Sequence, residues 1–153
     1  MQHARRLLAT MAALTAAGLS SASAPAAPPQ ALPSKKATLA TFAGAWAGHT
    51  RGLKISRGGR AREFIDDGCC DQIIRLQYKL SRVQGTATRA SARIRVTRVR
   101  VLDRSAFSTR SPAPHRGQTS RLTLRHGVIT DHLFVGGVTY CDYAQQLKGT
   151  CGA

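Results

Sequence analysis

Arg93, Arg95, Arg98 and Arg100 recur close to the two-residue period of one strand face. Arg75, Lys79 and Arg82 sit at similar spacing in the segment before them. Guanidinium groups fork onto phosphate or carboxylate with two parallel hydrogen bonds, so a row of them suits an anionic polymer. These four arginines are the candidate ligand-binding residues. The other positions on these basic faces are Ser, Thr and Gln rather than aromatic residues. Base stacking is therefore not expected, and nucleic acid is not the expected partner. A merely solvated outer face is the plainer alternative.

A second set offers acid and base chemistry. His49, His126 and His132, with Glu63 and Asp131, are the side-chain types that move protons near neutral pH. A nuclease-like hydrolase using His49, Glu63 and His132 is the enzymatic alternative. His126 falls in a turn and the others in separate segments, so no catalytic constellation is legible, and enzymatic activity is not the favoured expectation. His115 lies in a proline-containing loop, where exposure is expected.

Metal chemistry finds little support. Asp66, Asp67 and Asp71 lack the alternating acids and closing Glu of a calcium loop. Cys69 and Cys70 lack the two-residue gap that lets two thiolates face one ion. No metal or cofactor is expected. Trp46 is expected in the core.

The elements that must position these groups read as strands. In Gln72 to Val83 the set Ile74, Leu76, Tyr78 and Leu80 alternates with Arg75, Gln77, Lys79 and Ser81. Ala90 to Val101 repeats the pattern, but its parity flips between Val96 and Val99. A one-residue bulge near Thr97 would restore the apolar set to one face and the four arginines to the other. Further strands are expected at Ala45 to Ser56, Ala61 to Ile65, Ser120 to His126, Val128 to Val135 and Val138 to Tyr143. Gly58-Gly59, Gly85, His126-Gly127 and Gly136-Gly137 mark turns, and Arg104 to Gln118 reads as a long loop. No segment combines helical period with caps. The fold class is all-β: a small antiparallel barrel, or a sandwich, of seven to eight strands.

The N-terminus reads as an address. Arg5 and Arg6 precede an apolar run from Leu7 to Leu19 and a small-residue patch, the layout of a secretory signal peptide over residues 1–24. The apolar run is too short to span a bilayer, so no transmembrane anchor is expected. A Pro- and Ala-rich disordered tether over 25–40 follows, then a single β domain over 41–153. The expected location is outside the cell or in its envelope. The 153-residue chain carries 23 Lys and Arg against seven acids, a formal charge of +16. The expected signal peptide takes away two arginines and no acid, so the basicity belongs to the mature chain. Its 42% hydrophobic content excludes a wholly disordered polycation.

Export favours oxidation of Cys69, Cys70, Cys141 and Cys151. A bond between neighbours is disfavoured by the usual Cα separation of bridged cysteines. The expectation is two disulfides tying the centre of the chain to its end, in either of two pairings.

Phe42-Ala43-Gly44-Ala45-Trp46 resembles the opening signature of the calycin superfamily, the small barrels that include lipocalins and avidins. The resemblance implies a tight entry at the glycine, a tryptophan plugging the barrel base and an open mouth able to hold a small ligand. It covers only the start of the fold. The absence of an expected helix after the barrel departs from lipocalins, and no biotin site is carried over. Gly48-His49-Thr50-Arg51 and Gly68-Cys69-Cys70-Asp71 also resemble runs in small secreted actinobacterial proteins without an assigned function.

The functional expectation is a secreted, disulfide-stabilised, non-enzymatic binding or envelope-associated module for an anionic envelope polymer or a small ligand. The hydrolase above and a protein-binding inhibitor are the alternatives. Salt-dependent retention on cell-wall material separates the first from the rest.

Overall fold

A computed structural model describes residues 34–68 and 71–151. The expected signal peptide, most of the tether, and Cys69 and Cys70 lie outside these described residues. Eight antiparallel strands follow one another in sequence and close into a barrel. They are β1 (Gly44–Gly48), β2 (Arg51–Ile55), β3 (Arg60–Asp66), β4 (Gln72–Gly85), β5 (Arg89–Val101), β6 (Thr119–Arg125), β7 (Val128–Asp131) and β8 (Val138–Cys141). Closure is made by Ala47 of β1 pairing with Cys141 of β8. A closed sheet leaves no edge to recruit a neighbour.

Alternation builds the wall. Ile74, Leu76, Tyr78 and Leu80 of β4 are buried, while Arg75, Gln77, Lys79 and Ser81 are exposed. On β5, Ala92, Ile94 and Val96 point inward beside them. The expected bulge is present: Tyr78 pairs with Val96 and Gln77 with Arg98, which leaves Thr97 unpaired in the ladder. The Thr97 hydroxyl donates to the Gln77 carbonyl at 3.0 Å. All four candidate arginines of β5 are therefore exposed on one face. Arg82 leaves that alignment, because a second irregularity lies between Ser81 and Gln84 and Arg82 has φ 50°.

Ala45 to Ser56 is not one strand. It is the hairpin β1–β2, turning at His49-Thr50 with Gly48 opposite Arg51. The turn places Thr50, rather than a glycine, at φ 57°, which hid it from a search for glycine punctuation. His126-Gly127 makes the β6–β7 turn as expected, with φ values of 48° and 81°. A Cβ on Gly127 would strike the Asp142 carboxylate.

The fold begins before residue 41. Ala37 is buried, its amide donates to the Gly85 carbonyl at 3.0 Å, and the Ala87 amide donates to that of Lys35 at 2.9 Å. A 3-10 turn at Leu39–Phe42 follows and buries Phe42 completely. The expected tether thus ends in structure that belongs to the barrel. Trp46 is buried, as expected, and its indole N–H donates to the Phe42 carbonyl at 3.0 Å.

A short helix, α1 (Tyr143–Leu147), follows β8 where none was expected. Asp142 caps it, accepting from the Gln145 amide at 2.8 Å. Five residues are too few to display a helical period. Cys141 is bonded to Cys151 across a separation of ten residues, which corrects both centre-to-end pairings. The bond ties the segment after α1 back to the end of β8.

Candidate functional site

The barrel interior is lined by a continuous apolar core, and among the described residues Glu63, Asp131, Tyr78 and Tyr140 bring polar groups into it. Glu63 on β3 takes an inward place between Leu53 of β2 and Leu76 of β4. Asp131 on β7 lies between Leu122 of β6 and Val138 of β8. Tyr78 and Tyr140 complete the group from β4 and β8. Since β3 stands four strands from β7, and β4 four from β8, the group spans the bore. Tyr140 donates its hydroxyl proton to Glu63 Oε1. The Leu133 amide donates to Asp131 Oδ1 at 2.7 Å. Among the described residues, Glu63 Oε2, Asp131 Oδ2 and the Tyr78 hydroxyl have no hydrogen-bond partner of good geometry.

Burial dominates the protonation of this group. Desolvation raises the Glu63 carboxyl well above the usual range, and the nearby Asp131 charge raises it further. Desolvation lifts Asp131 to about 6 despite the Leu133 amide, which favours the ionised form. Burial also pushes both phenols upward. The interior therefore retains protons that free carboxyls release near pH 4. Glu63 is 3% and Asp131 0% exposed, so both carboxyl groups are buried.

The histidines do not join it. His49 is exposed in the β1–β2 turn and His132 is exposed just after β7, where its Nε2 lies 3.1 Å from the Thr123 hydroxyl. Exposed His126 accepts from Arg89 Nε at 3.3 Å. His115 is exposed, as expected. Glu63 is thus separated from His49 and His132 by the barrel wall and joined to Asp131. The inward parity of Glu63 in Ala61-Arg62-Glu63-Phe64-Ile65 was the available signal for its burial, though not for its partner. Asp66, Asp67 and Asp71 gather at one end of the barrel with no metal-binding group of His, Cys, Asp or Glu among the described residues.

The outer face is different in kind. Across β2 to β6 the register sets Lys54 beside Arg62, Arg60 beside Lys79, and Lys79 beside Arg95. It likewise sets Arg75 beside Arg100, Arg93 beside Arg121, and Arg89 beside Arg125. Neighbouring strands stand about 4.8 Å apart, so each pair holds two cations side by side. Like charges directly opposite destabilise a sheet. No acidic residue interrupts these rows: Glu63 and Asp131 are inside, and Asp66, Asp67, Asp71, Asp103 and Asp142 occupy loops and strand ends. Arg75 donates to Gln72 Oε1, a neutral partner.

Within this face lies a groove of about 380 Å³ lined by Arg62, Phe64, Arg75, Gln77, Arg98 and Arg100, among others. A second groove, sharing Arg62 and Gln77, continues past Arg60 and Lys79. Phe64, which strand parity sends outward, is 41% exposed. Its ring lies over Gly52 of β2, where a Cβ would collide with it. The aromatic residue missing from the basic face in the sequence is supplied by the neighbouring strand.

No protein-family model, curated protein or solved structure matches the chain. What defines it is the architecture itself: a closed eight-stranded barrel with an acidic, proton-holding interior and a cationic exterior.

Proposed function

We propose that the protein is an exported, non-enzymatic binding module that holds an anionic polymer on the outer face of β3, β4 and β5. The carrying observation is the set of like-charged cross-strand pairs Arg75–Arg100, Arg60–Lys79 and Lys79–Arg95, uninterrupted by acids. A face that needs only solubility would mix the signs, which costs nothing and relieves repulsion. Cations kept side by side are stabilised when an anionic chain lies along them and releases its counterions. The apolar side chains and the Glu63–Asp131 group that point into the bore offer an exposed anion less than this outer face does. The export reading, resting on the N-terminal pattern and consistent with the Cys141–Cys151 bond, places envelope polymers within reach.

The test is retention of the purified protein on cell-wall material and on immobilised polyphosphate, followed by a salt gradient. Binding at low ionic strength that is lost as salt rises supports the reading. Absence of retention at low ionic strength removes it.

A further inference from the structure

Resting on the polyanion reading of the same face, the geometry points to single-stranded nucleic acid as the polymer, with a base stacked on Phe64 and phosphates held by Arg62, Arg75, Arg98 and Arg100.

Charge alone does not explain how this groove is built. Phe64, Leu102, Val135, Tyr143 and Leu147 are the large apolar side chains left exposed among the described residues, and of these Phe64 lines the groove. Single exposed apolar residues are ordinary on a protein surface. This one has a prepared seat. Gly52 sits opposite Phe64 in the β2–β3 ladder, and the ring covers the space that a side chain at position 52 would fill. Gly52 has no positive φ that would demand glycine, so the residue serves the close approach of the ring.

Register fixes what surrounds the ring. Phe64 pairs with Arg75, which pairs with Arg100, while Arg62 and Arg98 stand two residues along on β3 and β5. Residues two apart on a strand face repeat about every 6.6 Å, so the cations form a lattice beside the ring rather than a point charge. A cationic groove combined with an aromatic platform is the general design for binding unpaired strands. A polyphosphate uses the cations and leaves the ring idle. A duplex keeps its bases stacked and cannot offer one to the ring.

The test is fluorescence-anisotropy titration of the full chain with labelled oligothymidylate of about 12 nucleotides, set against inorganic polyphosphate of matched charge, isolated cell-wall polymer and a duplex of the same length. The variants are Phe64→Leu, Phe64→Trp and Arg98→Gln. The oligonucleotide is expected to bind tightest of the four ligands. Phe64→Leu should weaken it about tenfold while leaving polyphosphate binding and the salt slope unchanged. Arg98→Gln should weaken both ligands and reduce the salt slope by about 0.7. Phe64→Trp should keep affinity and show emission quenched by oligothymidylate but not by polyphosphate, because Trp46 is buried. Equal loss of both ligands in Phe64→Leu, unchanged oligonucleotide binding, or tighter binding of the duplex or the cell-wall polymer overturns the nucleic-acid inference and leaves the polyanion reading standing. Failure of every polyanion to bind overturns both.

Discussion

Tyr140 on β8 donates its hydroxyl proton to Glu63 on β3, joining strands three apart around the ring through the barrel interior. Removing the donor in Tyr140→Phe strips the buried Glu63 of its hydrogen-bond donor. An unmade buried bond of this kind costs about 1–3 kcal/mol. Urea unfolding of the two proteins should show a loss in that range; an unchanged midpoint would mean that the bond contributes nothing.

The acid pair reverses the usual pH dependence of buried carboxylates held as ions. Glu63 is raised well above its ordinary value and Asp131 to about 6, so the native chain binds more protons than the unfolded chain as pH rises from about 4 through 6. This contribution to stability is greatest at the acid end and declines as pH rises through 6, by up to about 1.4 kcal/mol per pH unit for each proton. Asp131→Asn keeps an oxygen able to accept from Leu133 and removes one titration. Melting from pH 4.5 to 7.5 should therefore show a flatter profile in the variant. Identical profiles would contradict the placement of the charge.

The Cys141–Cys151 bond closes a short loop around α1. In the chain-entropy view a loop of that length stabilises by about 3 kcal/mol. Replacing both cysteines with serine should lower the melting temperature and accelerate hydrogen exchange at the Gln145 amide, which α1 holds on Asp142. Exchange unchanged at Gln145 would show that α1 does not depend on the bond.

Much of the wall was legible because strands expose their parity. The switch from Val96 to Val99 located the Thr97 bulge, and with it the face carrying Arg93, Arg95, Arg98 and Arg100. What escaped depended on contacts distant in sequence. The His49-Thr50 turn uses a threonine at positive φ, so Ala45 to Ser56 looked continuous. The Glu63–Asp131 pairing needs β3 and β7 on opposite sides of a closed ring, which no local pattern encodes. Phe64 reaches the arginine face only through the β3–β4 register. The disulfide followed from compartment, but its partner choice follows from α1, a helix too short to leave a period.

Gly52 allows a test of the groove that leaves the arginines intact. Gly52→Ala places a methyl group where the Phe64 ring lies and drives the ring from the sheet. Gly52 is buried beneath the ring, so the added methyl should also cost about 1–3 kcal/mol of stability, and affinity is compared well below the melting transition. Oligothymidylate affinity should fall together with that of Phe64→Leu. Retained affinity with a displaced ring would separate the ring from recognition.

The cationic face should also be under-stabilised for its size. Arg95→Glu puts a carboxylate beside Lys79 in place of a like charge. That exchange should stabilise the fold by about 0.2–1 kcal/mol while weakening polyanion binding. Gain of both stability and affinity would contradict the account.

The most direct measurement compares charge reversal on the face with charge reversal elsewhere. Arg98→Glu/Arg100→Glu and a control, Arg104→Glu/Arg110→Glu in the exposed β5–β6 loop, change net charge equally. Polyphosphate affinity should be measured for both across a series of salt concentrations. The face variant is predicted to lose tenfold or more and to show a shallower salt slope, with the control close to the parent. Equal losses in the two variants would contradict the account, because binding would then follow net charge and not the β3–β5 face.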